Sequence, residues 1–229
     1  AIGGYAELLE LEIQGPITPA QRTHLERIQR SQRHLLGLIN GVLNYARIDA
    51  GAVHYDVADV PVDEVLATCE ALFAPQVQVK DLALRVEGVG SGLRARADRK
   101  KVQQVVLNLL SNAIRFTPPG GQVALACAAA EDAQGAGPKP VVRIAVSDTG
   151  RGIAPQHVTR VFERFVQVYA APTRTQDGTG RGLAISRDLA RGMGGDLTVA
   201  SVVSVGPTFT VVLPQAAGDG LPEQRSRPP

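Results

Sequence analysis

The chain has 229 residues, of which 44% are hydrophobic and 20% are charged, so it can bury the core of one large domain or two small ones. Its formal net charge is +2, which is too balanced to indicate a nucleic-acid-binding protein. Only 4% of the residues are aromatic and none is tryptophan, which also argues against a surface that stacks on bases. We therefore expect no nucleic-acid partner.

The cysteines and the hydropathy pattern bear on the compartment. Cys69 and Cys127 provide no disulfide framework and no metal-ligand spacing, and their apolar neighbours predict buried thiols. No apolar run reaches the ~18 residues that a membrane span requires, and no signal peptide is visible. We expect a cytoplasmic location with no membrane contact by this segment, as a cytoplasmic protein or as the cytoplasmic part of a membrane-anchored receptor.

The first fifty residues predict two helices. Their pattern begins in mid-helix with neither a cap nor an initiator Met, so we expect the chain to be a piece of a longer protein. Apolar residues recur at helical spacing as far as Ile13, Gly15-Pro16 interrupts them, and Thr18-Pro19 provides a cap and a first-turn proline for the second helix. That helix carries a heptad seam formed by Leu25, Ile28, Gln32, Leu35, Ile39, Val42 and Ala46. Because two helices with one narrow seam each cannot bury it alone, we predict that residues 1–51 form a hairpin that dimerises into a four-helix bundle.

Beyond residue 51 the pattern changes to intermixed short strands and helices. Strands are predicted at 53–60, 82–86, 120–127, 141–147, 196–201 and 208–213, and helices at 62–73, 98–113, 155–162 and 183–193. Loops are predicted at 128–139 and 166–178, and the composition of 215–229 predicts a disordered tail. We therefore predict an α+β fold for 52–214, an α/β sandwich in which helices cover one face of a mixed, mostly antiparallel sheet.

The segment NLLSNA, at Asn108–Ala113, places two amide side chains one helical turn apart on the face opposite the apolar stripe. An amide oxygen is a hard, neutral ligand that suits a magnesium ion which keeps several waters and is held mostly by phosphates. Asparagine is a poor helix former, so Asn108 and Asn112 in mid-helix favour a functional role, and plain solvated positions remain the alternative. Arg115 lies near the same face.

The segment DTGRGI, at Asp148–Ile153, places a carboxylate at the end of a predicted strand and beside two glycines. Such a carboxylate can accept a hydrogen bond from an exocyclic amine such as that of adenine, and Gly150 and Gly152 let the backbone approach a flat ligand. The alternative is an ordinary turn. An aspartic protease site is disfavoured because no second DTG or DSG occurs in the chain.

The segment GTGRGL, at Gly178–Leu183, is a glycine-rich turn that opens a predicted helix. Free N–H groups and the positive end of the helix dipole favour phosphate at such a turn. The spacing of Gly178, Gly180 and Gly182 is not that of a dinucleotide-binding fold, and no GxxxxGK[ST] occurs in the chain. On its own, this segment is also compatible with a flexible linker turn.

In this order and spacing, the three segments resemble those of the sensor histidine kinases of two-component signalling. The ATP-binding domain of these kinases belongs to the superfamily of DNA gyrase B and the Hsp90-type chaperones. The resemblance covers nearly the whole chain, and residues 1–51 resemble the dimerisation and histidine-phosphotransfer hairpin. Its motifs are an N box (NLLSNAIRFT), two glycine boxes (DTGRGI and GTGRGLAIS), an F box (VFERF at Val161–Phe165) and a closing strand (GPTFTVVLP at Gly206–Pro214).

The resemblance implies ATP and Mg²⁺ as cofactors and a role for each motif residue. Asn112 is implied as the principal magnesium ligand with Asn108 assisting, and Arg115 faces the phosphates where the family often has Lys. Asp148 is implied to bind the adenine amine, and Thr208 to hold Asp148 and a water that bridges to the base.

The remaining motif residues are implied to shape and close the pocket. Gly150 and Gly152 line the adenine side, whereas Gly178, Thr179, Gly180 and Gly182 close the phosphate end. Residues 166–179 correspond to the ATP lid, which Phe162 and Phe165 anchor. Arg181 departs from the usual Leu between the last two glycines, which puts the packing of the lid in question.

The family's phosphate acceptor is a His in an H-E-x-x-x-P-L segment ahead of the part that AIGGYAELL resembles. The four histidines lie in no such segment, so we assign no chemistry to His24, His34, His54 and His157. The resemblance implies a homodimer formed through the hairpin and a response-regulator receiver domain that takes the phosphoryl group onto an Asp. A nucleotide-binding or dimerisation module without kinase activity is the alternative. A water-activating ATPase of the gyrase or chaperone type needs a catalytic Glu near the N box, where this chain has Gln104.

Overall fold

The computed structural model describes residues 2–13, 15–49, 54–132, 138–163 and 182–217, and the chain divides into two compact units between 53 and 54. The first unit is a helical hairpin of α1 (Ile2–Glu10) and α2 (Pro19–Asp49). The second unit contains the other elements, which are β1 (Ala58–Pro61), α3 (Val62–Val79), β2 (Ala83–Glu87), β3 (Arg94–Ala97), α4 (Arg99–Phe116), β4 (Gln122–Asp132), β5 (Lys139–Asp148), α5 (Pro155–Val158), a 3-10 turn (Arg160–Phe162), α6 (Gly182–Gly192), β6 (Asp196–Val202) and β7 (Gly206–Pro214).

The start of α2 is fixed by a reciprocal cap. The Gln21 backbone N–H donates to Thr18 Oγ1 at 3.2 Å, and the Thr18 N–H donates to Gln21 Oε1 at 2.7 Å. This arrangement is a capping box, in which each side chain satisfies a donor of the helix start. The predicted start of α2 is therefore confirmed. The end of α1 is different, because the helix stops at Glu10 and Glu12 adopts a φ of 56°, so the apolar period overestimated α1 by three residues.

The second unit is built on a five-stranded sheet with the strand order β2-β4-β5-β7-β6. Strands β2 and β4 are parallel, and the other neighbours are antiparallel. Strand β7 shows why one face is covered, since Phe209, Val211 and Leu213 are buried and alternate with half-exposed neighbours. The predicted α+β fold with a mixed, mostly antiparallel sheet is confirmed. Strands β1 and β3 form a separate antiparallel pair.

The core lies between this face of the sheet and the helices. Residues Val105, Val106, Leu109 and Leu110 of α4 are all at most 1% exposed. Their spacing places them on one stripe of the helix, so the polar residues between them are left on other faces. Helix α4 is therefore held from inside by its apolar stripe and can present side chains to a ligand on another side.

Both cysteines are buried thiols, as the sequence predicts. Cys69 is 0% exposed and Cys127 is 6% exposed. Burial raises the pKa of Cys69 to about 11, and it also raises the pKa of Cys127. Because the thiolate is the reactive form, these side chains act as small apolar groups of the core.

Several elements differ from the sequence prediction: β1 begins at Ala58 and not at 53, α3 runs to Val79, and the helix predicted at 155–162 is divided into α5 and a 3-10 turn. Strand β3 was missed because its apolar positions are alanines between arginines. Strand β4 runs to Asp132, which pairs with Lys139, so residues 128–132 and 139 of the predicted loop at 128–139 belong to strands. The tail was predicted from 215, but the Gln215 N–H donates to the Pro140 carbonyl oxygen and Ala216 is 6% exposed. The Ala216 N–H donates to the Arg94 carbonyl oxygen at 2.9 Å, so the unpredicted β3 extends the ordered fold past 214. Residues 218–229 lie outside the described part.

The segment that leads into the second unit is anchored by Asp98 and Tyr55. Asp98 is 6% exposed, accepts from the Lys101 N–H at 3.1 Å as the cap of α4, and accepts from the Asp56 N–H at 3.0 Å. The Tyr55 ring lies against Gly192 at the end of α6, where a Cβ would come within 2.1 Å of Tyr55 Oη. Residues 55 and 56 are therefore attached to both helices that carry site residues.

Replacing Asp98 with alanine is expected to lower the free energy of unfolding by about 2 kcal/mol, because it removes a helix cap and a hydrogen bond to a buried charge. Chemical denaturation measures this change. The matched control is Asp59→Ala, since Asp59 forms an exposed ion pair with Arg96 at 3.0 Å. That variant is expected to lose less than about 0.5 kcal/mol. Equal losses in the two variants would contradict the anchoring role of Asp98.

Candidate functional site

Asp148 ends the central strand β5 as a buried carboxylate that is 8% exposed. Its Oδ1 accepts a hydrogen bond from the Gly150 N–H at 2.8 Å. Burial raises the pKa of Asp148, while the Gly150 N–H and the Thr117 hydroxyl act in the opposite direction. A carboxylate in such a place gains from a ligand that donates a hydrogen bond to it, because a buried charge without enough partners is costly.

Glycines surround this carboxylate because there is no room for side chains. A Cβ at Gly150 would lie 2.6 Å from Asp148 Oδ1 and 2.7 Å from the Phe116 carbonyl oxygen. Gly152 has a φ of +71°, and a Cβ there would lie 2.3 Å from the Val202 carbonyl oxygen. Gly206 has a φ of +122°, and its Cβ would lie 1.6 Å from the Asp148 carbonyl oxygen. The loop Asp148–Ile153, called the Asp148 loop below, is thus packed backbone to backbone against both α4 and the β6–β7 turn.

Thr208 does not reach the Asp148 carboxylate, in contrast to the role that the resemblance implied. Thr208 pairs with Ser147 on the neighbouring strand, so these two side chains share one face of the sheet. Asp148 follows Ser147 and projects to the opposite, buried face. The residue of β7 on that face is Pro207, which has no hydroxyl. The hydroxyl beside Asp148 belongs instead to Thr117, which is 1% exposed.

Asn108 lies in the middle of α4 and contacts the beginning of α6. Its Nδ2 donates to Ser186 Oγ at 2.9 Å, and Ser186 is 2% exposed. A Cβ at Gly182, the first residue of α6, would lie 2.3 Å from Asn108 Oδ1. The amide oxygen of Asn108 therefore faces the N-terminus of α6, where backbone N–H groups are unpaired within the helix.

Asn112 and Arg115 are half-buried on α4, between Asn108 and the Asp148 loop. The Arg115 guanidinium lies 5.2 Å from the centroid of the Phe116 ring, and the Arg151 guanidinium lies 5.3 Å from the same centroid. The end of the helix is fixed by Lys80, whose Nζ donates to the carbonyl oxygens of Ile114 at 2.5 Å and Arg115 at 2.8 Å. Burial lowers the pKa of Lys80.

Helix α4 carries the NLLSNA motif and contacts residues of the other two predicted motifs. In the middle of the helix Asn108 contacts Gly182, and at its C-terminal end the Phe116 carbonyl oxygen contacts Gly150 beside Asp148. Eight residues of helix separate these contacts, which is about 12 Å. Gly178, Thr179, Gly180, Arg181, Phe165 and the predicted lid at 166–179 lie outside the described residues.

Phe162 of the predicted F box is partly buried and packs against the core. Its ring meets that of Phe209 edge to face, with 6.5 Å between centroids. The Arg187 guanidinium of α6 lies 4.7 Å from the Phe162 centroid. The packing role expected for Phe162 is therefore met by an aromatic partner on the sheet and a cation on α6.

Four residues of this region were missed at the sequence level: Phe116, Thr117, Arg151 and Ser186. Thr117 and Ser186 are buried polar residues that lie at or next to apolar stripes. A polar residue in such a position is the one sequence pattern that could have pointed to them. The contact between Phe116 and Arg151 could not be predicted from the sequence, because it forms only when the Asp148 loop folds onto the end of α4.

No group of three or more His, Cys, Asp or Glu side chains within the described ranges could hold a metal ion. The side chain that the described residues place beside Gly182 is the neutral amide of Asn108, and Asn112 follows one turn along α4. That set fits a magnesium ion bound mainly by phosphate and water, and not a site held by the protein alone. Among the helices that the structure describes, none has both the length and the apolar character that crossing a membrane requires.

Comparisons with known proteins agree with this geometry. Residues 97–217 match the family described as "Histidine kinase-, DNA gyrase B-, and HSP90-like ATPase", which is more than half of the chain. Residues 1–51 match the "His Kinase A (phospho-acceptor) domain". The chain therefore belongs to the histidine kinase-, DNA gyrase B- and HSP90-like ATPase family, and within it to the sensor histidine kinases.

Individual relatives show the same relationship over nearly the full chain. An uncharacterized sensor-like histidine kinase of Rhizobium meliloti is 32% identical over 98% of this chain and 41% of its own length. The histidine protein kinase DivJ of Caulobacter vibrioides is 33% identical over 93% of this chain and 34% of its own length. Full-length ShkA, solved in complex with AMPPNP, is 33% identical with a TM-score of 0.75, over 94% of this chain and 42% of ShkA. The chain thus spans less than half the length of these relatives.

Proposed function

We propose that this chain binds ATP with Mg²⁺ and forms the catalytic portion of a sensor histidine kinase, which transfers the γ-phosphate to a His and thence to an Asp of a response-regulator receiver domain. The observation that carries this proposal is the placement of the motifs along α4. A carboxylate for a base lies at the C-terminal end of α4, and a helix N-terminus for phosphates lies beside its middle, about 12 Å of helix away. A nucleoside triphosphate has donors and charges at matching ends.

Each residue acts on a different part of the nucleotide in this proposal. Asp148 accepts the adenine amine, and Gly150 and Gly152 keep its loop close to the base. The N-terminus of α6 at Gly182 faces the phosphates, and Gly178, Thr179 and Gly180 complete that end. Thr208 lies on the opposite face of the sheet from Asp148 and has no role at the base in this proposal.

Magnesium and the cation at Arg115 belong to the phosphate side. A bound Mg²⁺ would supply positive charge that offsets the charge of the phosphates. Asn112 is the principal protein ligand, and Asn108 assists it through the amide oxygen beside Gly182. Arg115 exchanges its contact with the Phe116 ring for the phosphates, so its charge is placed where the triphosphate is most negative.

Transfer to a His is favoured over hydrolysis because Gln104 occupies the position near the N box where a hydrolase carries its glutamate base. Gln104, one turn before Asn108, is a neutral amide and is exposed. It cannot accept a proton from water as a glutamate can. The structure supports the positioning of a nucleotide, which is the main contribution of a protein to phosphoryl transfer.

We propose that residues 1–51 form a homodimer through the helical hairpin and that the catalytic domain begins at 52. The hairpin exposes apolar side chains of the predicted seam, with Ile28 at 46%, Leu35 at 54% and Ile39 at 45% exposure. On α1, Leu8 and Leu9 are exposed at 42% and 40%. A contiguous apolar face of this kind is covered in a four-helix bundle of two chains.

The experiment that separates a kinase from a binding module supplies the acceptor in trans. A hairpin extended by a family-type H-E-x-x-x-P-L segment is mixed with the chain and γ-labelled ATP, and phosphate on its His is measured. Labelled His that depends on the chain supports the proposal. Tight nucleotide binding without any labelled His would assign the chain to the binding-only class, and steady release of inorganic phosphate would indicate a hydrolase.

Replacing Asn112 with alanine is expected to remove the magnesium-dependent part of the affinity for AMPPNP, about tenfold, because it removes the principal protein ligand. Calorimetric titrations with magnesium and with a chelator measure that part. The matched control is Gln104→Ala, an exposed amide on the same helix, which is expected to change neither titration. An unchanged magnesium effect in Asn112→Ala would remove Asn112 from the metal site.

A further inference from the structure

One arginine, Arg187, connects three elements of the second unit. Its Nε and Nη2 donate to the two carboxylate oxygens of Asp196 at 2.9 and 3.2 Å, which ties α6 to the start of β6. Its guanidinium also lies 4.7 Å from the centroid of the Phe162 ring. A bidentate ion pair that also stacks on an aromatic ring holds the arginine side chain in one orientation.

The Asp196 side of this connection is ionised over the physiological range. Burial pushes the pKa of Asp196 upward, but hydrogen bonds from Arg187, from the Leu197 N–H and from Arg191 outweigh it and bring the pKa to about 2. Asp196 therefore pairs with Arg187 as a carboxylate at neutral pH.

Helix α6, which carries Arg187, also makes the contacts with Asn108 at the part of the proposed site that faces the phosphates. Gly182 lies against Asn108 Oδ1, and Ser186 Oγ accepts from Asn108 Nδ2 at 2.9 Å. Arg187 directly follows Ser186, so it projects from a different side of α6 and ties the helix to the sheet and to Phe162. Helix α6 is thus fixed on one side by Asn108 and on another by Arg187.

We propose that Arg187 is a positioning residue for the triphosphate, which sets the rotation of α6 so that its N-terminus at Gly182 faces the phosphates beside Asn108. Arg187 does not bind phosphate itself, because its guanidinium is occupied by Asp196 and Phe162. The inference rests on the proposed nucleotide site. It adds the residue that fixes the phosphate half of that site without touching the ligand.

Arg191 provides a matched control on the same helix. Its Nε donates to the same Asp196 Oδ1 at 3.1 Å, but its side chain is 55% exposed, compared with 29% for Arg187. Removing Arg191 deletes one cation and one ion pair with Asp196. The double donation to the carboxylate and the contact with Phe162 remain.

The test compares AMPPNP with magnesium and adenosine as ligands of the full chain, by calorimetry for the first and ligand-observed NMR for the second. Arg187→Ala is expected to bind AMPPNP about tenfold more weakly and adenosine within about twofold of the parent, because adenosine does not use the α6 end. Arg187→Lys keeps the charge without the planar fork and is expected to show most of the same loss. Arg191→Ala is expected to stay within about twofold for both ligands.

Equal AMPPNP affinities in Arg187→Ala and the parent would overturn the inference. Parallel losses for AMPPNP and adenosine in both Arg187 variants would also overturn it, since they would show that the arginine supports the whole domain. If the folded parent binds neither ligand, the proposed nucleotide site fails as well, and that outcome is distinct because it appears before any substitution.

Discussion

Replacing Asp148 with asparagine is expected to weaken AMPPNP binding by about 1–3 kcal/mol, or about 5- to 150-fold. The carboxylate is buried at the end of β5, and one of its oxygens already holds the Gly150 N–H. An asparagine keeps the size of the side chain, but it replaces an acceptor with an NH₂ group that faces the donor on the base. Isothermal titration calorimetry on the folded variant measures the loss.

The same substitution is expected to stabilise the nucleotide-free fold at neutral pH. Burial raises the pKa of Asp148, so the folded state holds this proton more tightly than the unfolded state does. The stability that this group contributes is therefore complete below the unfolded pKa of about 3.9 and is lost as the pH rises through the raised folded value. Asparagine does not ionise and avoids that loss.

Denaturation of Asp148→Asn and the parent at pH 4 and pH 7 tests this sign. The stability advantage of the variant should be larger at pH 7 than at pH 4. An advantage that is smaller at pH 7, or AMPPNP affinities that are equal in the two proteins, would take the buried-carboxylate role away from Asp148. Weaker binding combined with higher stability identifies a functional residue, because a structural residue loses both when it is replaced.

Replacing Gly206 with alanine is expected to lower the free energy of unfolding by about 3–5 kcal/mol, which is in the range of the most damaging single substitutions. A Cβ at this position would lie 1.6 Å from the Asp148 carbonyl oxygen, and the φ of +122° is unfavourable for alanine. The β6–β7 turn and the Asp148 loop must therefore separate. We also expect weaker AMPPNP binding, because the Asp148 loop is displaced.

The matched control is Gly120→Ala, where φ is +77° and no other atom lies within 4 Å of the Cβ position. That variant is expected to lose only the backbone term of about 1–2 kcal/mol. Urea denaturation midpoints with equal slopes give the two values. A loss in Gly206→Ala no larger than that in Gly120→Ala would show that the close backbone contact at Asp148 is absent in solution.

The sequence predicted which residues form the site better than it predicted how they are arranged in space. Asn108, Asp148 and Gly182 were predicted from residue types and order, and the structure brings each of them to α4 or its ends. Thr208 was misplaced because strand faces alternate, so the pairing of Thr208 with Ser147 puts its hydroxyl on the wrong side of the sheet for Asp148. The register of β5 and β7 is set by pairing between strands that are distant in the sequence, so it cannot be predicted from the local pattern of either strand.

For the fold as well, features that depend on neighbouring residues were predicted, and features that depend on distant parts of the chain were missed. The start of α2 was predicted because its cap is encoded within four residues, from Thr18 to Gln21. Strand β3 and the ordered residues after 214 were missed because they stabilise each other, through the Ala216 N–H and the Arg94 carbonyl oxygen. Neither segment has a strong pattern of its own, since alanine has little preference for strands.

The central claim is that Asp148, α4 and the beginning of α6 form one site for magnesium and a purine triphosphate. A calorimetric titration of the folded chain with AMPPNP, with and without magnesium and with GTP as the competing purine, tests it most directly. We expect one site per chain, tighter binding when magnesium is present, and weaker binding of GTP, whose base has no amine at the position that Asp148 contacts. A folded chain that takes up no AMPPNP, or that binds it equally well with a chelator present, would rule out this site.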